Sequence, residues 1–225
     1  MMTEILNSAM ICRSNVEWSG FKHWLLSLAR TLSFCYLLVK MATPKKILLA
    51  GDSFVKRLER FHGQNLSVPG GQVHMIGMSG KGVGDIHLRL ANLPPNYYSV
   101  VVLCVGGNDL CRFHRTPAAV VHDLFVLAEE LVSNGTSRVI ICQLLHRAST
   151  SHFEGGLCLA EYNSRVNQAN FLLQQNCIGP AVKYWRHHPS VLGSNRLHAD
   201  GVHLNTPGML RFRRSLLSAI RLHMP

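Results

Sequence analysis

The sequence predicts an α/β protein: a central parallel sheet of about five strands with helices on both faces. Three observations predict it. From Lys46 onward, short apolar runs rich in β-branched residues alternate with longer segments of helical period. The runs Val100-Val101-Val102-Leu103-Cys104-Val105 and Val139-Ile140-Ile141-Cys142 lack in/out alternation, and strands buried on both faces belong to a parallel sheet covered on each side. Polar, Gly-rich segments also follow several of the runs, where open parallel sheets bind their ligands.

The elements follow in order. Residues 47–50 form the first strand and stop at Gly51-Asp52-Ser53, where a helix over 54–61 begins. A second strand over 73–78 leads through Ser79-Gly80-Lys81-Gly82 into a helix over 84–93. Pro94-Pro95-Asn96 breaks the chain before the third strand, 100–105. Thr116-Pro117 places a hydroxyl before a helix-compatible proline and opens a helix over 117–133. A fourth strand over 139–144, a helix over 159–175 and a fifth strand over 181–185 come next. Thr206-Pro207 repeats the hydroxyl-proline signal and opens the last helix, 207–223.

With 47% apolar and 16% charged residues the composition is globular and not disordered. The division expected is an N-terminal extension, 1–43, apolar or amphipathic, and one compact domain, 44–225. Residues 21–39 are apolar for most of their length, which raises the question of membrane contact. Lys22, His23 and Arg30 interrupt them, and a central Arg costs roughly 2.5–3.5 kcal/mol on insertion scales. The run after Arg30 is too short to span a bilayer. Two blander readings stand beside a membrane anchor: an amphipathic extension, or a product that starts at Met41. The seven cysteines include no Cys-x-x-Cys. Two of them, Cys104 and Cys142, lie inside strand runs, so the set reads as reduced core residues of an intracellular, cytoplasmic protein and not as a disulfide framework or zinc site. His187-His188 has no Cys or carboxylate at ligand spacing and reads as a solvated loop. His146 and His152 flank a polar loop.

Four polar segments end up at one sheet edge: Gly51-Asp52-Ser53, Ser79-Gly80-Lys81-Gly82, Gly106-Gly107-Asn108-Asp109 and Asp200-Gly201-Val202-His203. Acyl transfer needs a nucleophile, a base bonded to it, a group that orients the base, and donors aimed at the oxyanion. Ser53 at a helix N-terminus can be the nucleophile, with its own N–H and a favourable dipole. His203 can be the base, and Asp200, three residues earlier, can reach its imidazole. Asn108 offers a side-chain amide, and Gly80 a backbone N–H that no side chain blocks. Each segment alone is ordinary turn or cap chemistry; the weight lies in their conjunction.

These residues resemble the SGNH hydrolases, the GDSL esterase/lipase superfamily. Gly51-Asp52-Ser53, Ser79-Gly80, Gly106-Gly107-Asn108-Asp109 and Asp200-Gly201-Val202-His203 match its four blocks, and the resemblance spans roughly Lys46 to the C-terminus. It implies a flavodoxin-like α/β/α sandwich, Ser53 as nucleophile with Asp200 and His203 completing the triad, an oxyanion hole of Ser53, Gly80 and Asn108, a small ester or acyl substrate, and no metal or organic cofactor. The second block departs from the family in carrying Lys81, and leaves Gly82 open as the alternative donor. The stretch 144–156 matches no motif. The last third is similar to SGNH-type domains linked to animal retroelements.

The competing reading is an inactive scaffold of this fold that binds nucleic acid or a protein through its basic surface. The formal charge is +11, and phosphate-driven binding would be strongly salt-dependent. Against it, the whole set of site residues is retained, and there is no zinc-knuckle spacing or RRM-type aromatic signature. Gly80-Lys81-Gly82-Val83-Gly84 is neither Gly-x-Gly-x-x-Gly nor a P-loop.

Overall fold

A computed structural model describes residues 23–28, 30, 44–63 and 66–225, apart from the side chains of Leu192 and Ser194. Residues 23–28 are helical. The expectations for the rest of the N-terminal extension, including most of the 21–39 segment, lie outside the described residues. Among those described, no helix is long and apolar enough to cross a membrane.

Lys45–Pro225 forms one compact unit. Its strands are β1 (Lys45–Gly51), β2 (Ser67–Val68), β3 (Gly71–Gly77), β4 (Val100–Cys104), β5 (Arg138–Cys142) and β6 (Val182–Trp185). Its helices are α1 (Ser53–His62), α2 (Val83–Leu90), α3 (Pro117–Ser133), α4 (Leu159–Asn176), the short α5 (Pro189–Leu192) and α6 (Thr206–His223). The sheet order is β2-β3-β1-β4-β5-β6. Five strands run parallel, and β2 adds a two-residue antiparallel edge. The parallel part therefore has the 2-1-3-4-5 order of flavodoxin-like folds. β2 escapes sequence reading because two residues carry no periodicity.

β1 lies in the middle, with Leu48 opposite Val101 on one side and His74 on the other. Its alternate side chains enter two cores. Leu48 and Ala50 pack with Ile86 of α2, Leu124 of α3 and Val166 of α4. Ile47 and Leu49 pack with Val55 and Leu58 of α1 and with Phe212 and Leu216 of α6. This is the three-layer sandwich that the non-alternating apolar runs predict. Each fully buried Leu, Ile or Val contributes roughly 1.5–3 kcal/mol relative to exposure.

Caps place the helix starts. Thr116 accepts a hydrogen bond from Ala119 N at 3.2 Å, with Pro117 at the first helical position. At α6 the cap is Asn205 and not Thr206: its Oδ1 accepts from Gly208 N at 2.9 Å, and Thr206 becomes the first helical residue. Asn is the stronger N-cap of the two. His187 also departs from the solvated loop expected. It is buried, with Nδ1 2.8 Å from the Ser215 hydroxyl and its ring against Phe212. Apolar neighbours from α6, which sequence spacing does not reveal, put it there. His188 stays exposed and caps α5.

Candidate active site

The site begins where β1 ends. A Cβ at Gly51 would fall on the Cys104 carbonyl and the Val55 side chain, so only glycine lets β1 approach β4 this closely before the chain turns. Asp52 N–H donates to the Cys104 carbonyl at 3.1 Å. Asp52 then caps α1, its Oδ1 accepting from Phe54 N at 3.0 Å. Ser53 is the first residue of that helix and is partly exposed. Burial pushes the Asp52 carboxyl up to about 7, offset only in part by the Phe54 N–H and the Arg147 charge.

Ser53 meets a residue 150 positions away. Its Oγ lies 2.9 Å from His203 Nε2, and His203 Nδ1 lies 2.8 Å from Asp200 Oδ2. The Asp200 carboxylate accepts a hydrogen bond from the proton on Nδ1, which leaves Nε2 free to accept from the Ser53 hydroxyl. Asp200 Oδ1 accepts from the N–H groups of Val202 and His203, both at 2.9 Å. Partial burial pushes the Asp200 carboxyl up, but these two N–H bonds and the His203 ring outweigh it and hold it well below the usual carboxylate range. His203 goes the other way. Burial lowers its pKa more than the Asp200 bond raises it, and the Arg57 charge lowers it further. Arg57 Nη2 stands 3.4 Å from Asp200 Oδ2.

The two glycines of the second segment differ. Gly80 sits at φ +72° with open space around it, and its N–H donates to no atom of the described residues. Gly82 caps α2, and its N–H donates to Asp85 Oδ2 at 3.0 Å. Lys81 turns away to Asp85 at 3.1 Å, half exposed. Asn108 is held at both ends of its amide. Nδ2 donates to the Lys81 carbonyl at 3.0 Å, and Oδ1 accepts from Arg147 Nη2 at 2.8 Å. These neighbours fix the amide orientation and leave the second Nδ2 proton unused. Asp109, buried, accepts from Val83 N at 3.0 Å and so ties this loop to the start of α2.

Arg147 carries no signal in the sequence. It comes from the loop after β5, is 6% exposed, and also places Nη1 2.7 Å from Cys111 Sγ. No pattern in 144–156 marks it; only the fold brings it under Asn108. Ser53, Gly80, Asn108, Arg147 and His203 line one cavity of about 400 Å³, and Gly82 does not. His152 also lines it, whereas His146 bonds Asn167 of α4 at 2.7 Å. No cluster of metal-ligating side chains occurs among the described residues.

No protein-family model and no curated protein sequence matches the chain. Solved structures do. A GDSL-like lipase from Bacteroides thetaiotaomicron aligns at TM-score 0.65 and 18% identity, covering 85% of this chain and 97% of that one. An acetyl esterase mutant solved with acetate ion aligns at 0.58 and 18%, covering 80% and 98%. A carbohydrate esterase family 3 protein from Talaromyces cellulolyticus gives the same figures, 0.58, 18%, 80% and 98%. In architecture the chain has the fold of the SGNH hydrolases, the GDSL-like lipase superfamily that its four sequence blocks resemble.

Proposed function

We propose that residues 44–225 form a serine hydrolase that cleaves a carboxylic ester through an acyl-enzyme. The observation that carries this reading is the unbroken hydrogen-bond chain from Ser53 Oγ through His203 to Asp200, opening on a cavity. The ester-cleaving structural neighbours support the same chemistry.

His203, neutral at Nε2, takes the Ser53 proton as Oγ attacks the ester carbonyl. Asp200 holds the imidazole in the required tautomer and stabilises the imidazolium that forms. The carbonyl oxygen gains negative charge and meets the N–H of Ser53, the N–H of Gly80 and the unused proton of Asn108 Nδ2. Gly80 is the donor and not Gly82, because the Gly82 N–H is already bonded to Asp85. His203 then protonates the leaving alcohol. A water activated by the same nitrogen releases the acid and restores Ser53.

Hydrolysis of p-nitrophenyl acetate by the wild type, Ser53→Ala and His203→Ala tests this. Both substitutions should bring turnover close to the uncatalysed rate with the fold retained. Full activity in either would sink the mechanism.

A further inference from the structure

The walls of the cavity carry more charge than the chemistry needs. Among the described residues four arginines line it, Arg57, Arg60, Arg112 and Arg147, against one acidic residue, Glu154. Arg147 is committed to Asn108 and Cys111. Glu154 belongs to that same wall, since its N–H donates to the Cys111 carbonyl at 3.0 Å.

Arg57 and Arg60 stand apart from them. They follow Ser53 on α1 at i+4 and i+7, so the three residues share one face of the helix. Along the axis they lie about 6 and 10 Å beyond Ser53. Arg57 reaches Asp200 at 3.4 Å, which puts this pair on the His203 flank of the site. Among the described residues Arg60 has no ion pair. Both arginines also border a second cavity, of about 500 Å³, with His198 and the start of α6 around it and, among the described residues, no carboxylate in its lining. His198 in turn lies 3.6 Å from Asp200. A positively lined path therefore leads away from Ser53 on the side of the imidazole. The departing alcohol takes its proton from His203 Nε2, so it leaves on that side.

We propose that the site takes esters whose alcohol part carries a carboxylate or phosphate, gripped by Arg57 and Arg60 beside His203. The inference rests on the ester-hydrolase reading of Ser53 and His203. It adds to that reading a substrate class and the residues that select it. A planar guanidinium fork suits both anions.

The test uses two acetate esters whose alcohol side carries either a free carboxylate or its methyl ester, 4-acetoxybenzoate and methyl 4-acetoxybenzoate; the neutral one has the better leaving group, so a preference for the anion runs against intrinsic reactivity. The wild type should favour the anionic ester in kcat/KM by about tenfold at low salt. The preference should collapse near 1 M salt, where the Debye length falls to about 3 Å. Arg60→Gln should cut the anionic-to-neutral ratio several-fold, and Arg214→Gln, an equal loss of charge at an exposed position of α6, should not. Equal kcat/KM for the two esters, or a ratio that Arg60→Gln leaves in place, overturns the anion inference while the hydrolase reading stands. Turnover of neither ester overturns the hydrolase reading. Calorimetry on Ser53→Ala then decides the anion inference: tighter binding of the benzoate, weakened by added Arg60→Gln, supports it, and equal binding of both esters overturns it.

Discussion

Replacing Arg147 by Met keeps the buried stem and removes the guanidinium that holds Asn108. Arg147 is 6% exposed and donates to Asn108 Oδ1 at 2.8 Å. A hydrogen bond to a charged group contributes about 1.5–3 kcal/mol. If all of it serves to aim the Asn108 amide, the rate should fall by about 10- to 100-fold at 1.36 kcal/mol per factor of ten. The remaining bond from Nδ2 to the Lys81 carbonyl keeps the loss below that of deleting the donor. Asn108→Ala should cost about 10²–10³ in kcat. The assay is kcat and KM for p-nitrophenyl acetate in wild type, Arg147→Met, Asn108→Ala and the double variant, with thermal melts on each. The loss should fall in kcat and not in KM, with strong non-additivity: once Asn108 is alanine, Arg147→Met should change little. Equal losses in both backgrounds would refute a role for Arg147 through Asn108, and would leave it as a residue that holds the fold alone.

Two further outcomes follow from the charges around the site. The acidic limb of kcat/KM should lie below the ordinary imidazole value, because burial and Arg57 lower the His203 pKa; activity is present above that limb and lost as His203 protonates. Arg57→Gln should move the limb to higher pH, and a limb that stays put would remove Arg57 from the electrostatics of the base. The Asp52 carboxyl, raised from 3.8 to about 7, binds a proton more tightly when folded, so the stability it contributes is present at low pH and lost as pH rises toward 7 and beyond. That difference corresponds to at most about 4 kcal/mol. Asp52→Asn keeps an N-cap oxygen without the ionisation, so wild type should lose stability relative to it between about pH 4 and pH 7 in urea melts. Parallel profiles would show that Asp52 titrates alike in folded and unfolded chains.

How far the site was legible varies from residue to residue. The nonalternating run 100–105 predicts a strand buried on both faces, and Val100 to Leu103 are each 0% exposed. The convergence of Ser53, Asn108, Asp200 and His203 is legible because each sits in a short Gly-rich segment just past a strand or just before a helix, where local pattern speaks. The cap role of Asp52 could have been read in the same way, one residue before a helix. Arg147 could not. Its loop has no periodicity, and its importance comes from partners 36 and 39 residues away. The burial of His187 has the same origin, since α6 supplies the apolar wall and the Ser215 hydroxyl. The proposal of Gly80 over Gly82 rests on which N–H is already engaged, since Gly82 donates to Asp85, and sequence spacing does not show that.

The most direct measurement is covalent labelling with a fluorophosphonate probe, read by peptide mass spectrometry, on the full chain beside Ser53→Ala and His203→Ala. An activated serine reacts because a base removes its proton as it attacks phosphorus. One label is expected, on the peptide carrying Ser53, absent in Ser53→Ala and strongly slowed in His203→Ala. A folded protein that takes no label, or one whose label survives Ser53→Ala, would contradict it.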